Sequence, residues 1–496
     1  MADMTYEEQL AARARAEEIG LWTPGDEHDA CGVGLIVALD GEPRREIVEL
    51  AIKSLKAVWH RGAVDADGKT GDGAGVRVNV PQDLFKSYVG RTGHTPASAD
   101  VCVGQIFLPR TDFGAQDAAR AAVETEILRE GFHLYGWRQV PVDAAVLGQK
   151  ANASRPEIEQ VLFFDPHARS RDELERALYL VRRRIEKRAI EANIPGFYVC
   201  SFSSDDVIYK GMFLAEEIDA FYPDLKDERF VSRVAIFHQR YSTNTFPEWR
   251  LAQPFRLLAH NGEINTLKGN INWMKSHEIR MASEAFGDAG DDVKPVVQPG
   301  SSDSGCLDQV FEVLVRAGRS APMVKSLLLP EAWSKREAIM PRRWRALYEY
   351  CNAVMEPWDG PAAICAYDGR WALAGLDRNG LRPSRYAITE DGILAVGSET
   401  GMCPLTPKKI IKRGALEPGA MIAFDFDERK FYTHHEILDH FAAKHPYEKW
   451  IDNIVELEPE IGPGPEDRLF STEELLRRQT AAGYTLEELD LVLRPM

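Results

Sequence analysis

Short apolar runs of strand length come in two blocks, and this pattern limits the fold more than any other feature of the chain. The first block covers 33–39, 76–80, 103–108, 161–164, 197–201, 207–209, 234–237 and 257–259. The second covers 362–367, 371–375, 384–389 and 393–398, with Asp368-Gly369 and Asp391-Gly392 placed as hairpin turns. Helical spacing occupies 47–59, 117–130, 171–192, 266–285 and 304–316. Strands and helices therefore arrive in groups rather than in strict alternation, which predicts a layered α+β architecture and not a doubly wound parallel sheet.

The ends and the charge set further bounds. Residues 4–19 have helical composition, and Pro24-Gly25-Asp26 breaks that pattern just before Asp29-Ala30-Cys31-Gly32. The first 30 residues lack a basic stretch followed by a continuous apolar one, so they do not read as a signal peptide. A formal charge of −17 argues against a nucleic-acid partner, since phosphate binding needs clustered Lys and Arg. The local basic run Arg182-Arg183-Arg184 with Lys187-Arg188 reads as a solvated helix face, given Glu173, Glu175 and Glu186 nearby. Seven cysteines, an odd number with no C-x-x-C pair, suit a reduced cytoplasmic setting better than a disulfide framework. The longest apolar runs fall short of the roughly 18 residues a membrane helix needs, so no membrane span is expected. Near the other end, 459–465 reads as a Pro/Gly linker and 472–493 as two short helices opening a domain that is not present.

Four segments carry candidate chemistry. Cys31 sits in Asp29-Ala30-Cys31-Gly32-Val33-Gly34, where the glycines leave the backbone around the thiol unobstructed. Cysteine more often simply packs, so this alone decides nothing. In His238-Gln239-Arg240-Tyr241-Ser242-Thr243, at the end of an apolar strand, Arg240 offers a planar fork for a carboxylate and Thr243 a hydroxyl; an isolated arginine is equally compatible with a structural ion pair. Asn261 and Gly262, in Ala259-His260-Asn261-Gly262-Glu263-Ile264-Asn265-Thr266, can supply a side-chain and a backbone N–H to a developing oxyanion, although Asn-Gly by itself is commonly a turn. In Ser301-Ser302-Asp303-Ser304-Gly305 ahead of a helix, Ser302 or Asp303 would ordinarily be an N-cap, while the functional reading makes Asp303 a carboxylate for a substrate ammonium. The stretch 63–70 misses a phosphate loop by one position, because Ala63 stands where glycine is required, and Gly71-Asp72-Gly73-Ala74-Gly75 misses the dinucleotide spacing; both read as a tight loop near the thiol.

Taken together and in this order, these segments, with His60-Arg61-Gly62-Ala63 and Gly71-Asp72-Gly73-Ala74-Gly75, resemble the glutamine amidotransferase domain of glutamate synthases over about 31–427. The resemblance implies an N-terminal-nucleophile hydrolase fold, a four-layer αββα sandwich. It implies a propeptide at 1–30, a class II glutamine amidotransferase domain at 31–450, and a linker with the start of an absent central domain at 451–496. Carried over by position, Cys31 becomes the nucleophile, Asn261 and Gly262 the oxyanion donors, and Arg240, Thr243 and Asp303 the glutamine binders. No cofactor is expected in this chain; FMN and an iron–sulfur cluster belong to the missing synthase region. The expected partners are L-glutamine and a glutamate synthase domain or subunit, with neither nucleic acid nor membrane.

The proposed base also has a physical rationale. A free thiol with a pKa near 8.5 is only about 3% thiolate at neutral pH. A liberated α-amino group, with a reference value of about 7.7–8.0, can exchange a proton with it, whereas the amide joining Ala30 to Cys31 cannot. His60, His238 and His260 are accordingly read as structural. Two rival readings stand beside this one: an amidotransferase subunit serving another acceptor, and an unprocessed, non-catalytic glutamine sensor or scaffold.

Overall fold

The computed structural model describes residues 15, 31–240, 246–334, 339–455, 462 and 470–494. The chain divides into two units, 1–448 and 449–496. In the second, Ser471 caps a helix at Thr472–Ala481 by accepting from the Glu474 N–H.

In the first unit, one sheet takes seven strands in the order β14 (Ile410–Ala415), β12 (Arg385–Thr389), β13 (Ile393–Gly397), β1 (Gly32–Ala38), β8 (Val234–Gln239), β2 (Ala74–Asn79) and β7 (Asp206–Gly211). A second takes β16 (Lys430–Tyr432), β15 (Met421–Asp425), β11 (Trp371–Leu376), β10 (Ala362–Tyr367) and β9 (Leu258–Gly262). All of their ladders are antiparallel. The two face each other across one core. Val33, Leu35 and Val37 of β1 meet Ala259, Cys365, Tyr367, Ala372, Ala374, Ile422 and Phe424 there.

Alternation along β1 sends Ile36 and Ala38 to the opposite side, against Ile47, Val48 and Leu55 of helix α1 (Arg45–Ala57). This strand is apolar on both faces because both are covered, which is why its sequence is a continuous run rather than an alternating one. Further helices complete the unit: α2 (Gln82–Arg91), α3 (Phe113–Arg129), α4 (Arg171–Glu191), α5 (Leu267–Ile279), α6 (Asp303–Arg316), α7 (Ala321–Leu328), α8 (Arg342–Val354) and α9 (His434–Ala442). The outer face of the second sheet is covered by α7 on β11 and α9 on β15, giving the order helix, sheet, sheet, helix. The fold is a four-layer α+β sandwich, the αββα layering expected from the sequence. A four-stranded sheet, β4 (His133–Gln139), β5 (Glu157–Phe164), β3 (Val101–Leu108) and β6 (Tyr198–Ser203), packs its own apolar core against α3 and α4.

Two differences from the sequence reading have physical causes. The basic run on α4 is not a solvated face: Arg182 and Arg183 are each 3% exposed. Arg182 pairs with Glu186 at 2.6 Å and with Glu312 at 2.5 Å, while Arg183 pairs with Glu186 at 2.6 Å and donates to the Pro295 carbonyl. Charge counted along the chain could not show that Glu312 on α6 would close over it. The strands β4, β14, β15 and β16 and the helices α2, α7, α8 and α9 lie outside the expected elements. In α7 all eight residues are buried, Lys325 and Ser326 included, so the element is short and has no solvent-facing side to mark it.

Candidate active site

Hydrogen-bond register brings the first two segments together. Gly32 of β1 lies opposite Gln239 of β8, and Gln239 lies opposite Ala74 of β2. One step further along both ladders, Cys31, Arg240 and Gly73 stand side by side at one end of three adjacent strands. The Arg240 N–H donates to the Gly73 carbonyl at 2.8 Å. Arg240 holds a φ of 92°, left-handed backbone that a residue with a side chain seldom adopts. Gly73 has a φ of 134°, which suits glycine.

The facing sheet supplies the third segment. Ala259 of β9 points into the inter-sheet core, so Asn261, two residues on, points the same way; its Nδ2 donates to the Cys31 carbonyl at 2.9 Å. A primary amide carries two hydrogens, and the second is left for another acceptor.

The direction of the Gly262 N–H follows from the ladder. Glu263 donates to the Pro361 carbonyl at 2.9 Å, while the Ala362 N–H and carbonyl both engage Asp377 on the far side of β10. In an antiparallel pair this makes Gly262 and Ala362 a non-hydrogen-bonded couple. The Gly262 amide therefore points away from β10, out of the free edge that β9 forms. A Cβ at this position would run into the Pro361 carbonyl, so only glycine fits.

His260, pointing the other way, sets its Nδ1 2.7 Å from Ser304 Oγ in the first turn of α6. That turn is capped by Ser302, which accepts from the Gly305 N–H at 3.1 Å. Asp303, 2% exposed, accepts from the Ile264 N–H at 3.0 Å and so sits beneath the loop that follows Gly262.

Charged groups of both signs surround the sulfur. Burial pushes the Cys31 thiol up to about 12; Arg240 and Arg382 pull it down, while Asp72 and Asp303 push it further up. The register thus brings Cys31, Arg240, Asn261, Gly262 and Asp303 to one end of the sandwich. Thr243 lies outside the described residues. Asp72 and Arg382 were not singled out from the sequence as site residues. The signal for Arg382 was present: Asn379-Gly380 followed by Arg382-Pro383 is a turn after a strand end, the same arrangement that marked 259–266.

The histidines are committed elsewhere. His238 is fully buried with Nε2 3.1 Å from the His260 carbonyl, and burial drives it down to about 3, so it stays neutral. His60 Nε2 is 2.9 Å from Glu399. The near-miss phosphate loop is filled by its own side chain: Asp67 accepts from the N–H groups of Lys69 and Thr70 and from the Thr70 hydroxyl.

A cysteine ahead of a sheet strand, a side-chain amide and an outward backbone N–H on the facing sheet edge, an arginine and a buried carboxylate are thus gathered at one end of the sandwich. The family of class-II glutamine amidotransferases matches residues 31–450, and the chain belongs to it. Among individual proteins it is similar to the glutamate synthase (NADPH) large chain of Azospirillum brasilense, 54% identical over 100% of this chain and 33% of that protein. Ferredoxin-dependent glutamate synthase 2 of Synechocystis is 42% identical, over 95% of this chain and 30% of its own length. The glutamate synthase (NADPH) large chain of Bacillus subtilis is 39% identical, over 99% and 32%. The chain thus spans about a third of the length of these relatives. Among the described residues no helix is long and apolar enough to cross a membrane.

Proposed function

We propose that this chain is the glutaminase portion of a glutamate synthase, active once residues 1–30 are removed and Cys31 becomes the amino terminus. The carrying observation is the convergence of Cys31 and Arg240 across one ladder with Asn261, Gly262 and Asp303 from the facing layer. That the family match begins at Cys31 supports a cut at that bond. On this reading 31–450 is the amidotransferase domain, and 451–496 is a linker leading to the next domain.

Arg240, with Thr243, receives the α-carboxylate of glutamine and Asp303 its α-ammonium. Cys31 Sγ attacks the side-chain amide carbon and forms an S–C bond. The displaced electron pair settles on the amide oxygen, which Asn261 Nδ2 and the Gly262 N–H stabilise. The thiol proton passes through the α-amino group to the amide nitrogen, the C–N bond breaks and ammonia leaves. Water then attacks the thioester carbon, releasing glutamate and restoring the thiol.

The relatives' identity as glutamate synthases supports 2-oxoglutarate as the eventual ammonia acceptor, in a cytoplasmic enzyme. FMN and an iron–sulfur cluster would belong to the synthase region beyond this chain. Intact mass spectrometry and labelling with a glutamine-like diazo-ketone test the reading together. Loss of residues 1–30 with one label on Cys31 is expected; an unlabelled Cys31 in correctly cut, folded material rejects it.

A further inference from the structure

Asp72 is a charged group at the site that the reaction above leaves without a task. It is 6% exposed, yet neither carboxylate oxygen accepts a hydrogen bond; its nearest ionic neighbour is Arg240, whose Nε lies 3.7 Å from Oδ2. A buried carboxylate without hydrogen bonds is costly and is rarely retained without a reason. The loop fixes it there: the Asp72 N–H donates to the Ala63 carbonyl at 3.2 Å, and the Gly73 carbonyl accepts from Arg240. A Cβ on Gly71 would meet the backbone of 213–214, so the loop cannot draw back from the site.

We propose that Asp72 is a positioning residue that stands in for the substrate, an ionic neighbour of Arg240 before glutamine binds that gives way when the α-carboxylate of glutamine arrives. This rests on the assignment of Arg240 to that carboxylate. The geometry favours exchange over a permanent bridge: at 3.7 Å and without a hydrogen bond, the pair lacks the bidentate contact that a permanent Arg–carboxylate bridge makes.

The consequence is a proton linkage. Burial pushes Asp72 up to about 7, although the loop backbone and Arg240 pull it down. Once a second carboxylate shares Arg240, the Asp72 carboxylate loses part of that pull and gains a like charge, so its proton affinity rises further. Glutamine binding above neutral pH then takes a proton from solvent onto Asp72. The other charged groups at the site are the Cys31 thiol, Asp303 and Arg382, and in the cleaved chain the Cys31 α-amino group, which titrates at about 7.7–8.0 in its reference state. Within the carrying loop, Asp65 is paired with Lys150 and Asp67 with Thr70, and His60 and Arg61 are held by Glu399.

The test is the KM for glutamine of the cleaved chain between pH 6.5 and 8.5, for the parent, Asp72→Asn and Arg240→Lys. The parent KM should rise with pH, by at most about tenfold per unit for one proton. Asp72→Asn resembles the protonated acid, so its KM should match the parent at pH 6.5, stay level, and fall below the parent at pH 8.5. Its melting temperature should exceed that of the parent above pH 7, where a purely structural carboxylate would give a loss. A parent KM flat with pH, or Asp72→Asn keeping the parent's slope, overturns the inference; if Asp72→Asn does not fold, Asp72→Ser is read in the same way, since the Cys31 amine titrates in this window in every variant. If Arg240→Lys also leaves KM unchanged at every pH, the assignment of Arg240 falls and takes this inference with it. If Arg240→Lys raises KM while Asp72→Asn keeps the slope, only the role of Asp72 fails.

Discussion

At the scale of single residues, Asn261 and Gly262 would divide the proposed oxyanion task by chemistry. Asn261 brings a side-chain amide that already holds the Cys31 carbonyl at 2.9 Å, while Gly262 brings a backbone N–H turned outward by its place in the ladder. Replacing Asn261 by Ala removes the donor to the nucleophile's own carbonyl together with one oxyanion donor. Turnover should fall by roughly 10²–10³ with a smaller change in KM, measured as steady-state glutaminase activity. Both residues were visible in the sequence because an Asn-Gly pair at the end of an apolar run is unusual in carrying two potential donors. Arg382 carried the same turn signal and was passed over, and Asp72 was visible only as part of a tight loop, because their influence on the sulfur comes from the fold and not from spacing along the chain.

At the scale of elements, α4 and α6 are joined by buried charge as well as by apolar packing. Glu186 of α4 receives Arg182 and Arg183 from its own helix, Arg256 from the segment before β9, and the Gln298 side chain. Burial alone would raise the Glu186 carboxyl, but Arg182, Arg256 and Arg183 overcome it and hold the group down to about 2. Because the folded value is depressed, the stabilisation is fully present above the ordinary glutamate range and is lost as pH falls from about 4.5 toward 2. Glu186→Gln leaves buried guanidinium groups without their shared anion, and should cost roughly 3–5 kcal/mol in a urea titration at pH 7. The deficit should shrink as the titration is repeated at lower pH within that window. Helical spacing over 171–192 was legible, as was its start, where Ser170 and Glu173 form a reciprocal cap. Its buried arginines were misread because their partner Glu312 is 130 positions away.

At the scale of the whole molecule, the proposed cut before Cys31 would make one peptide bond a switch. While Cys31 is joined to Ala30, its nitrogen has no basicity, and burial pushes its thiol up to about 12, which disfavours the thiolate at pH 8. Cutting that bond creates a cation on the same residue, which favours the thiolate and supplies a base in a single event. Iodoacetamide should therefore modify Cys31 at least tenfold faster in the cut chain than in the uncut chain at pH 8. Equal rates would detach the reactivity of the sulfur from the terminal amine. The six other cysteines remain unpaired thiols, and five of them are buried, so Cys403 is the background to subtract in that measurement.

The sequence by itself determined the kinds of layer and the chemical vocabulary. Strand-length apolar runs in blocks dictated α+β layers, and Cys31, Arg240, Asn261, Gly262 and Asp303 could be picked out because each stands at the end of a run or at the start of a helix. Only the tertiary structure decided which of them meet. Pairing of Gly32 with Gln239 and of Gln239 with Ala74 sets Cys31 beside Arg240, and stacking of the two sheets lowers Asn261 onto the Cys31 carbonyl. The physical reason is that local pattern follows from periodicity within a few residues, whereas register and sheet stacking follow from burying both faces of β1 at once, which depends on residues more than 200 positions apart.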